Sequence, residues 1–302
     1  MPMFTNNKRL SWFVAGFLFA ALWASASTAT KIGLTVSQPF VIAEVRFALA
    51  AAILLIISHG VFKHRLPEKR EWRQLAIYGF LNITAYLGLY VVAMQTVTAG
   101  IGAMAVASNP VFIGFLSVFF LKKKLQIYLV GSIIICTLGV VCASWPLLRN
   151  ATFEANGLLL LLLSMLCYSV GAIYFSAQRW NGLSLLAING WQTLLGGLFL
   201  LPLTVVFYQH PANQWNGRFW WSVTWLAIPV SIIAVQLWLW LLRVHAVRAG
   251  LWLYLCPLFG FMIAAWLMND SINAYTISGV AMVMGGLFLS NMTATKNEVV
   301  FD

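Results

Sequence analysis

Charge is the scarcest thing in this sequence. Of its 302 residues only 8% are Asp, Glu, Lys or Arg, where a soluble domain carries roughly 25%. Acidic residues are rarest, seven Asp and Glu against eighteen Lys and Arg. With 62% hydrophobic residues and so few charges, no soluble core could hide the apolar surface, which excludes a water-soluble globular protein. Cysteine is nearly missing too. The four, Cys136, Cys142, Cys167 and Cys256, sit inside apolar runs with no C-x-x-C spacing and no histidine cluster, so neither a disulfide frame nor a metal site is indicated. A phosphate loop, H-E-x-x-H and G-x-S-x-G are all absent from the sequence. ATP drive and the commoner metalloprotease and esterase chemistries therefore lack support, and no cofactor is expected.

What is present is a series of apolar runs of the length that crosses a bilayer as a helix, about 20 residues. Ten are counted: 10–30, 40–61, 74–95, 99–121, 127–145, 157–177, 185–207, 221–242, 249–268 and 274–292. The net charge of +11 does not point to nucleic acid, because the basic residues lie in the short segments between runs. With the N-terminus placed inside, fourteen Lys and Arg fall on the inner side, and only Lys31, Arg149 and Arg218 on the outer side. That asymmetry orients membrane proteins and predicts both termini in the cytoplasm. Lys8-Arg9 followed by an apolar run and Ala24-Ser25-Ala26 imitates a signal peptide. The run continues past that site and has a counterpart opening the second half, so it is read as a retained first helix.

The chain repeats itself. Pro110 and Pro257, Phe112 and Phe259, Tyr128 and Tyr275, and Gly139 and Gly286 are each 147 residues apart. A fixed-offset repeat dictates architecture. The expectation is an all-α membrane protein of ten transmembrane helices in two inverted five-helix repeats, residues 8–145 and 157–292, joined by an outer linker at 146–156. Inverted repeats with an odd number of spans are a transporter pattern, with the substrate site at the midplane between them.

The order of these elements resembles the EamA-type branch of the drug/metabolite transporter superfamily. The resemblance rests on Leu22-Trp23-Ala24-Ser25, Val45-Arg46-Phe47-Ala48, Thr98-Ala99-Gly100 leading to Pro110, Trp191-Gln192-Thr193-Leu194 and Leu253-Tyr254-Leu255-Cys256-Pro257. It covers nearly the whole chain. It departs from the family where Gly-Glu usually follows spans four and nine; here stand Lys122-Lys123 and Asn269-Asp270, which puts any role for that glutamate in doubt. The family often has Trp in span six, where this chain has Tyr168. The resemblance implies a ten-helix carrier of the bacterial inner membrane that moves small metabolites.

Polar groups inside spans are costly, so their faces are informative. Asn82, Tyr86 and Tyr90 form one stripe, and Gln236 and Trp240 repeat its spacing in the second half. Trp23 and Ser27 share a face, Tyr168 faces inward from span six and Gln192 from span seven; Asn109 stands beside Pro110 and Tyr254 near Pro257. The bland reading is interhelical hydrogen bonding and aromatic packing; the sharper one is a common polar, aromatic-rich cavity for substrate. Pro110 and Pro257 each free a carbonyl mid-span and are either a paired hinge or passive kinks. Gly100-Ile101-Gly102-Ala103-Met104-Ala105 fits a dinucleotide fingerprint in letters only. It opens a membrane helix rather than a βαβ unit, and reads as small-residue packing. Gly139 and Ala143, with Gly286 and Ser290, permit close helix approach, either between the two back helices or as a homodimer face.

Two charges remain inside a span. Glu44 is the coupling candidate if a side-chain proton drives transport; the other reading is a carboxylate held charged near a helix N-terminus and Lys31. Arg46, whose counterpart in the other repeat is Gln192, either grips an anionic substrate end with its guanidinium fork or snorkels to the outer surface. The function expected is a secondary transporter, an exporter, of small polar or amphipathic metabolites such as amino acids. The alternatives are an intramembrane enzyme and a channel-like facilitator. The enzyme would need a catalytic pair at the midplane, whereas His59, His64, His210 and His245 all fall at span ends or in loops.

Overall fold

A computed structural model describes residues 6–122, 127–150, 155–268 and 274–296, and every regular element among them is helical. The first half runs α1 (Asn6–Leu34), α2 (Pro39–Leu55, continued as a π-helix over Ile56–Val61), α3 (Lys69–Gly79), a π stretch Phe80–Ala85, α4 (Tyr86–Ala93), α5 (Ala99–Ala105), a 3₁₀ turn Val106–Ser108, α6 (Asn109–Phe120) and α7 (Ile127–Asn150). The second runs α8 (Ala155–Ala177), α9 (Leu185–Phe207), α10 (Gly217–Trp225), a π stretch Leu226–Ala234, α11 (Val235–Leu251), a 3₁₀ turn Trp252–Tyr254, α12 (Leu255–Met268) and α13 (Ala274–Lys296).

Local chemistry explains the helix starts. Thr98 and Ser184 accept the backbone N–H three residues on, and Asn216 accepts those of Arg218 and Phe219, which satisfies orphan donors of a first turn. Pro39 opens α2 where its missing N–H costs nothing. At α3, Glu71 reaches back to the Glu68 N–H at 2.8 Å and takes a two-pronged grip from Arg65, both contacts 2.7 Å.

Among the described residues seven helical stretches are long and apolar enough to cross a membrane, and Ile127–Ala143 and Ile277–Leu289 are shorter apolar helices. One of the seven, Gly217–Gly260, holds 44 residues. At 1.5 Å per residue it is about 66 Å long, twice the roughly 30 Å of hydrocarbon. It breaks at His245, whose φ of −163° and ψ of 105° are not helical. The matching break in the first half is the turn between α4 and α5. The expected linker at 146–156 is partly helical: α7 runs on through Pro146 to Asn150. Residues 151–154, Lys123 and Asn269-Asp270 lie outside the described residues.

The two halves interleave. Among the described residues the most extensive helix pairing is α7 with α13, followed by α2 with α9 and α4 with α8. Small residues make the first approach: a Cβ on Gly279 would stand 2.6 Å from the Ala143 Cβ, and one on Gly139 2.8 Å from the Gly279 carbonyl oxygen. Gly286 faces Cys136 in the same way. The small faces at Gly139, Ala143 and Gly286 are thus engaged within one chain; the Ser290 side chain lies outside the described residues. At the far end of α2 and α9, Asn213 Oδ1 accepts from Ser37 Oγ at 2.7 Å and from the Gln38 N–H at 2.9 Å, and Gln38 Oε1 accepts from the Gln209 N–H at 2.7 Å.

Candidate functional site: a buried arginine in an aromatic cavity

Arg46 does not reach the surface. It is 3% exposed. Its Nε donates to Ser231 Oγ at 2.8 Å, and its guanidinium carbon stands 5.5 Å from the Phe47 ring centre. The snorkelling reading fails because Arg46 points sideways into the bundle, across to the π stretch of the other half. Among the described residues no carboxylate pairs with it: the ion pairs there join Arg65 to Glu68 and Glu71.

The guanidinium lines a small cavity with Trp23, Ser27, Tyr86 and Tyr90, closed by Ala103, Val106, Val230 and Cys256. These come from α1, α2, α4, α5 and the turn after it, the π stretch Leu226–Ala234, and α12, so both halves build it. The space left is about 20 Å³, which suits a water molecule rather than a metabolite. As it stands the cavity is too small for a metabolite.

Behind this wall stands a second aromatic layer. Tyr168 packs against Trp23 at 5.6 Å between ring centres, Tyr86 at 4.7 Å and Trp238 at 5.6 Å. Among the described residues Tyr168 Oη, Tyr78 Oη and Trp238 Nε1 are buried without a protein hydrogen-bond partner.

A hydrogen-bonded chain ties the arginine to the opposite wall. Ser231, which accepts from Arg46, takes a bond at its carbonyl from Asn189 Nδ2 at 3.0 Å. Asn189 Oδ1 accepts from Gln192 Nε2 at 3.2 Å, and Gln192 Oε1 accepts from Asn82 Nδ2 at 3.1 Å. Asn82 and Ser231 each lie in a π stretch, a deformation frequent at functional sites.

Of the twelve residues expected to face substrate, the cavity wall holds Trp23, Ser27, Arg46, Tyr86 and Tyr90. Tyr168 is one layer behind, and Asn82 and Gln192 join through the polar chain. Four stand elsewhere. Asn109 pairs with α8, accepting from Ser169 Oγ at 3.0 Å. Tyr254 is turned by the 3₁₀ turn toward α7, where its hydroxyl meets Thr137 Oγ1 at 2.8 Å. Trp240 packs on Trp12 at 5.9 Å. Gln236 is half-buried, with Oε1 unpartnered. On α11 it is Trp238 that enters the aromatic layer, about 200° around the helix from both Gln236 and Trp240. Ser231 and Trp238 are the residues the sequence reading missed. Pro110 and Pro257 each follow a 3₁₀ turn, so the two breaks match in kind.

The sequence profile of the EamA-like transporter family matches this chain twice, over residues 10–145 and 155–292. The chain belongs to the EamA-like transporter family. YedA of Escherichia coli, named an uncharacterized inner membrane transporter, is 28% identical over 299 residues, 98% of this chain and 94% of that protein. YoaV of Bacillus subtilis, named an uncharacterized transporter, is 22% identical over 290 residues, 92% of this chain and 96% of its own. A crystal structure of a protein superposes with a TM-score of 0.76 over 95% of this chain and 99% of that one, at 18% identity. At that identity the likeness speaks for the fold alone. Family and relatives point away from an enzyme, and the apolar helices fit a membrane protein.

In this EamA-like chain Glu44 faces away from the cavity. It is half-buried against α9, where Thr204 Oγ1 stands 3.4 Å from Oε1 and Gly197 lies beside Oε2. Glu44→Gln should therefore leave substrate accumulation within about twofold of wild type, with the same dependence on pH. Loss of pH dependence in that variant, measured in proteoliposomes, would return Glu44 to the coupling role.

Proposed function

We propose that the protein is a secondary transporter that exports small metabolites with an anionic end, such as amino acids, by alternating access. The observation that carries this reading is Arg46: a guanidinium 3% exposed, without a carboxylate partner among the described residues, on the wall of a narrow aromatic cavity. A buried charge is costly unless paired. An anionic ligand would complete it, and the second aromatic layer would receive the rest of the molecule. In this reading the membrane is crossed ten times by two inverted five-helix repeats. The 44-residue stretch supplies two crossings, split at His245, and α7 and α13 cross as the back pair. The breaks before Pro110 and Pro257 act as paired hinges. The chain sits in a bacterial inner membrane with both termini inside.

Counterflow tests the carrier. Proteoliposomes preloaded with a mixture of unlabelled amino acids and small carboxylates should accumulate an external labelled member of the same set. Uptake that only equilibrates, without overshoot, would favour the channel-like facilitator, and chemical conversion of the label would favour an intramembrane enzyme. Topology is tested separately. Reporter fusions after Lys69 and Arg179 should signal inside, and after Asn213 outside. An outside signal at Arg179 would break the five-plus-five scheme.

A further inference from the structure

At the end of α2 opposite Gln38 the two halves meet again, through histidine. His59 lies in the π stretch that ends α2. Its Nδ1 is 2.8 Å from the backbone carbonyl oxygen of His64, and its Nε2 receives the indole N–H of Trp191, on α9, at 3.0 Å. These partners settle the tautomer. A carbonyl only accepts, so Nδ1 carries the proton; an indole only donates, so Nε2 carries none. His59 in this structure is the neutral Nδ1–H form. A second proton can go only to Nε2, the atom to which Trp191 is bonded. Two N–H groups would then point at each other across 3.0 Å, and the contact must open.

The neighbours make that contact a joint between halves. Trp191 packs edge-on against Trp72 of α3, ring centres 4.6 Å apart. One residue earlier, a Cβ on Gly190 would stand 2.8 Å from Leu55 Cδ2, so α9 rests directly on α2. His64 is placed differently. Its Nδ1 lies 3.2 Å from Ser58 Oγ and 3.0 Å from Ser184 Oγ, hydroxyls that rotate to serve either protonation state. Of the two histidines, only His59 has partners that cannot adapt.

The other titratable groups on these elements are few. α9 has none from Leu185 to Phe207. α2 contributes Glu44 and Arg46, near its opposite end. On the loop after His59 stand Lys63, His64, Arg65 and Glu68, and on α3 Lys69, Arg70, Glu71, Arg73 and Tyr78. Glu71 is held by Arg65, and Tyr78 is buried beside Phe175.

We propose that His59 is a proton-binding latch between the two halves: neutral, it joins α2 to α9 through Trp191, and protonated, it releases that joint. The inference does not depend on the substrate or on Arg46. Histidine is the side chain whose ordinary charge change falls between about pH 5 and pH 8, which sets the range over which the latch is tested.

The test needs no substrate. Full-length protein in lipid, ¹⁵N-labelled at histidine and tryptophan, is followed by solid-state NMR from pH 8 to pH 5. His59→Gln assigns the His59 ring signals among the four histidines, and Trp191→Phe assigns the Trp191 indole. At pH 8 the His59 ring should be the Nδ1–H tautomer. On acidification its Nε2 should take a proton, and the Trp191 indole signal should shift with the same midpoint. In His59→Gln, where a neutral amide oxygen replaces Nε2 as acceptor, the indole signal should stay fixed across the range. An Nε2–H tautomer at pH 8, a ring that stays neutral down to pH 5, or an indole signal that ignores the titration each overturns the latch. These outcomes leave the transport reading untouched, just as absence of counterflow leaves the latch standing.

Discussion

Arg46→Gln is expected to abolish transport of anionic substrates while the protein folds as well as wild type, or better. The two halves of that result have different causes. Among the described residues Arg46 is a buried charge whose hydrogen bond goes to a neutral partner, Ser231. Replacing an unpaired buried charge by a neutral group of similar length removes a desolvation cost, so the thermal unfolding midpoint should stay level or rise. Substrate binding goes the other way. A hydrogen bond to a charged group contributes about 1.5–3 kcal/mol, so losing the guanidinium weakens binding of a carboxylate by roughly 10- to 150-fold. Arg46→Lys keeps the charge but loses the planar fork and the Nε donor that fixes it on Ser231. It should restore only part of the affinity. Binding is read by titrating carboxylate ligands against tryptophan fluorescence or thermal shift, transport by counterflow. Full activity in the lysine variant, or unchanged binding in the glutamine variant, would mean that the anion sits elsewhere. The lead would then pass to Asn82 and Gln192.

The same residue shows where sequence reasoning stops. Position 46 in an apolar run is legible as an expensive charge. Whether it snorkels or turns inward is a matter of rotation about the helix axis and of what stands opposite. The partner, Ser231, is 185 residues away and looks like any serine in an apolar span. Helices and their breaks were more legible, because length, hydropathy and turn chemistry are local. Leu185–Phe207 was expected as it stands, and the splits before α5 and at His245 followed from the repeated layout. Faces beyond a π stretch were not legible. An apolar run reads alike in α and π geometry, yet each π turn slips the register by about one residue, close to 100°. The π stretch is six residues long before Tyr86 and nine before Val235, so the copies lose phase with each other. Matching Tyr86 and Tyr90 to Gln236 and Trp240 therefore leads to the side of α11 away from the aromatic layer, where Trp238 stands instead. Tyr254 failed for a related reason: the 3₁₀ turn that carries it tightens the helix and turns its ring toward α7.

Gly196→Val is expected to prevent the bundle from closing, with an effect larger than any substitution on the cavity wall. Gly196 lies on α9 where it crosses the end of α3. A Cβ there would stand 2.7 Å from the Gly79 carbonyl oxygen and closer still to Ile83 Cβ. From the other side, a Cβ on Gly79 would stand 2.5 Å from the Gln192 carbonyl oxygen. Backbone faces backbone across this crossing, so no side-chain rotation can relieve a clash; the helices must separate. Thr84 adds a bond from its hydroxyl to the Gly196 carbonyl oxygen at 2.7 Å, which such a separation would break. Overpacking costs about 1–3 kcal/mol in cores that can shift, and rigid backbone contacts put this site at or beyond the upper end. The crossing also holds Asn82 against Gln192, so moving it apart by even 1 Å cuts the polar chain that leads to Arg46. The variant should insert poorly or purify with an unfolding midpoint many degrees below wild type. Gly196→Ala should show a weaker form of both defects. Gly285, at which an added Cβ meets nothing within 4 Å, supplies the control: Gly285→Ala should match wild type. If Gly196→Val purified with an unchanged midpoint and normal counterflow, the α3–α9 crossing could not be as tight as its backbone contacts require.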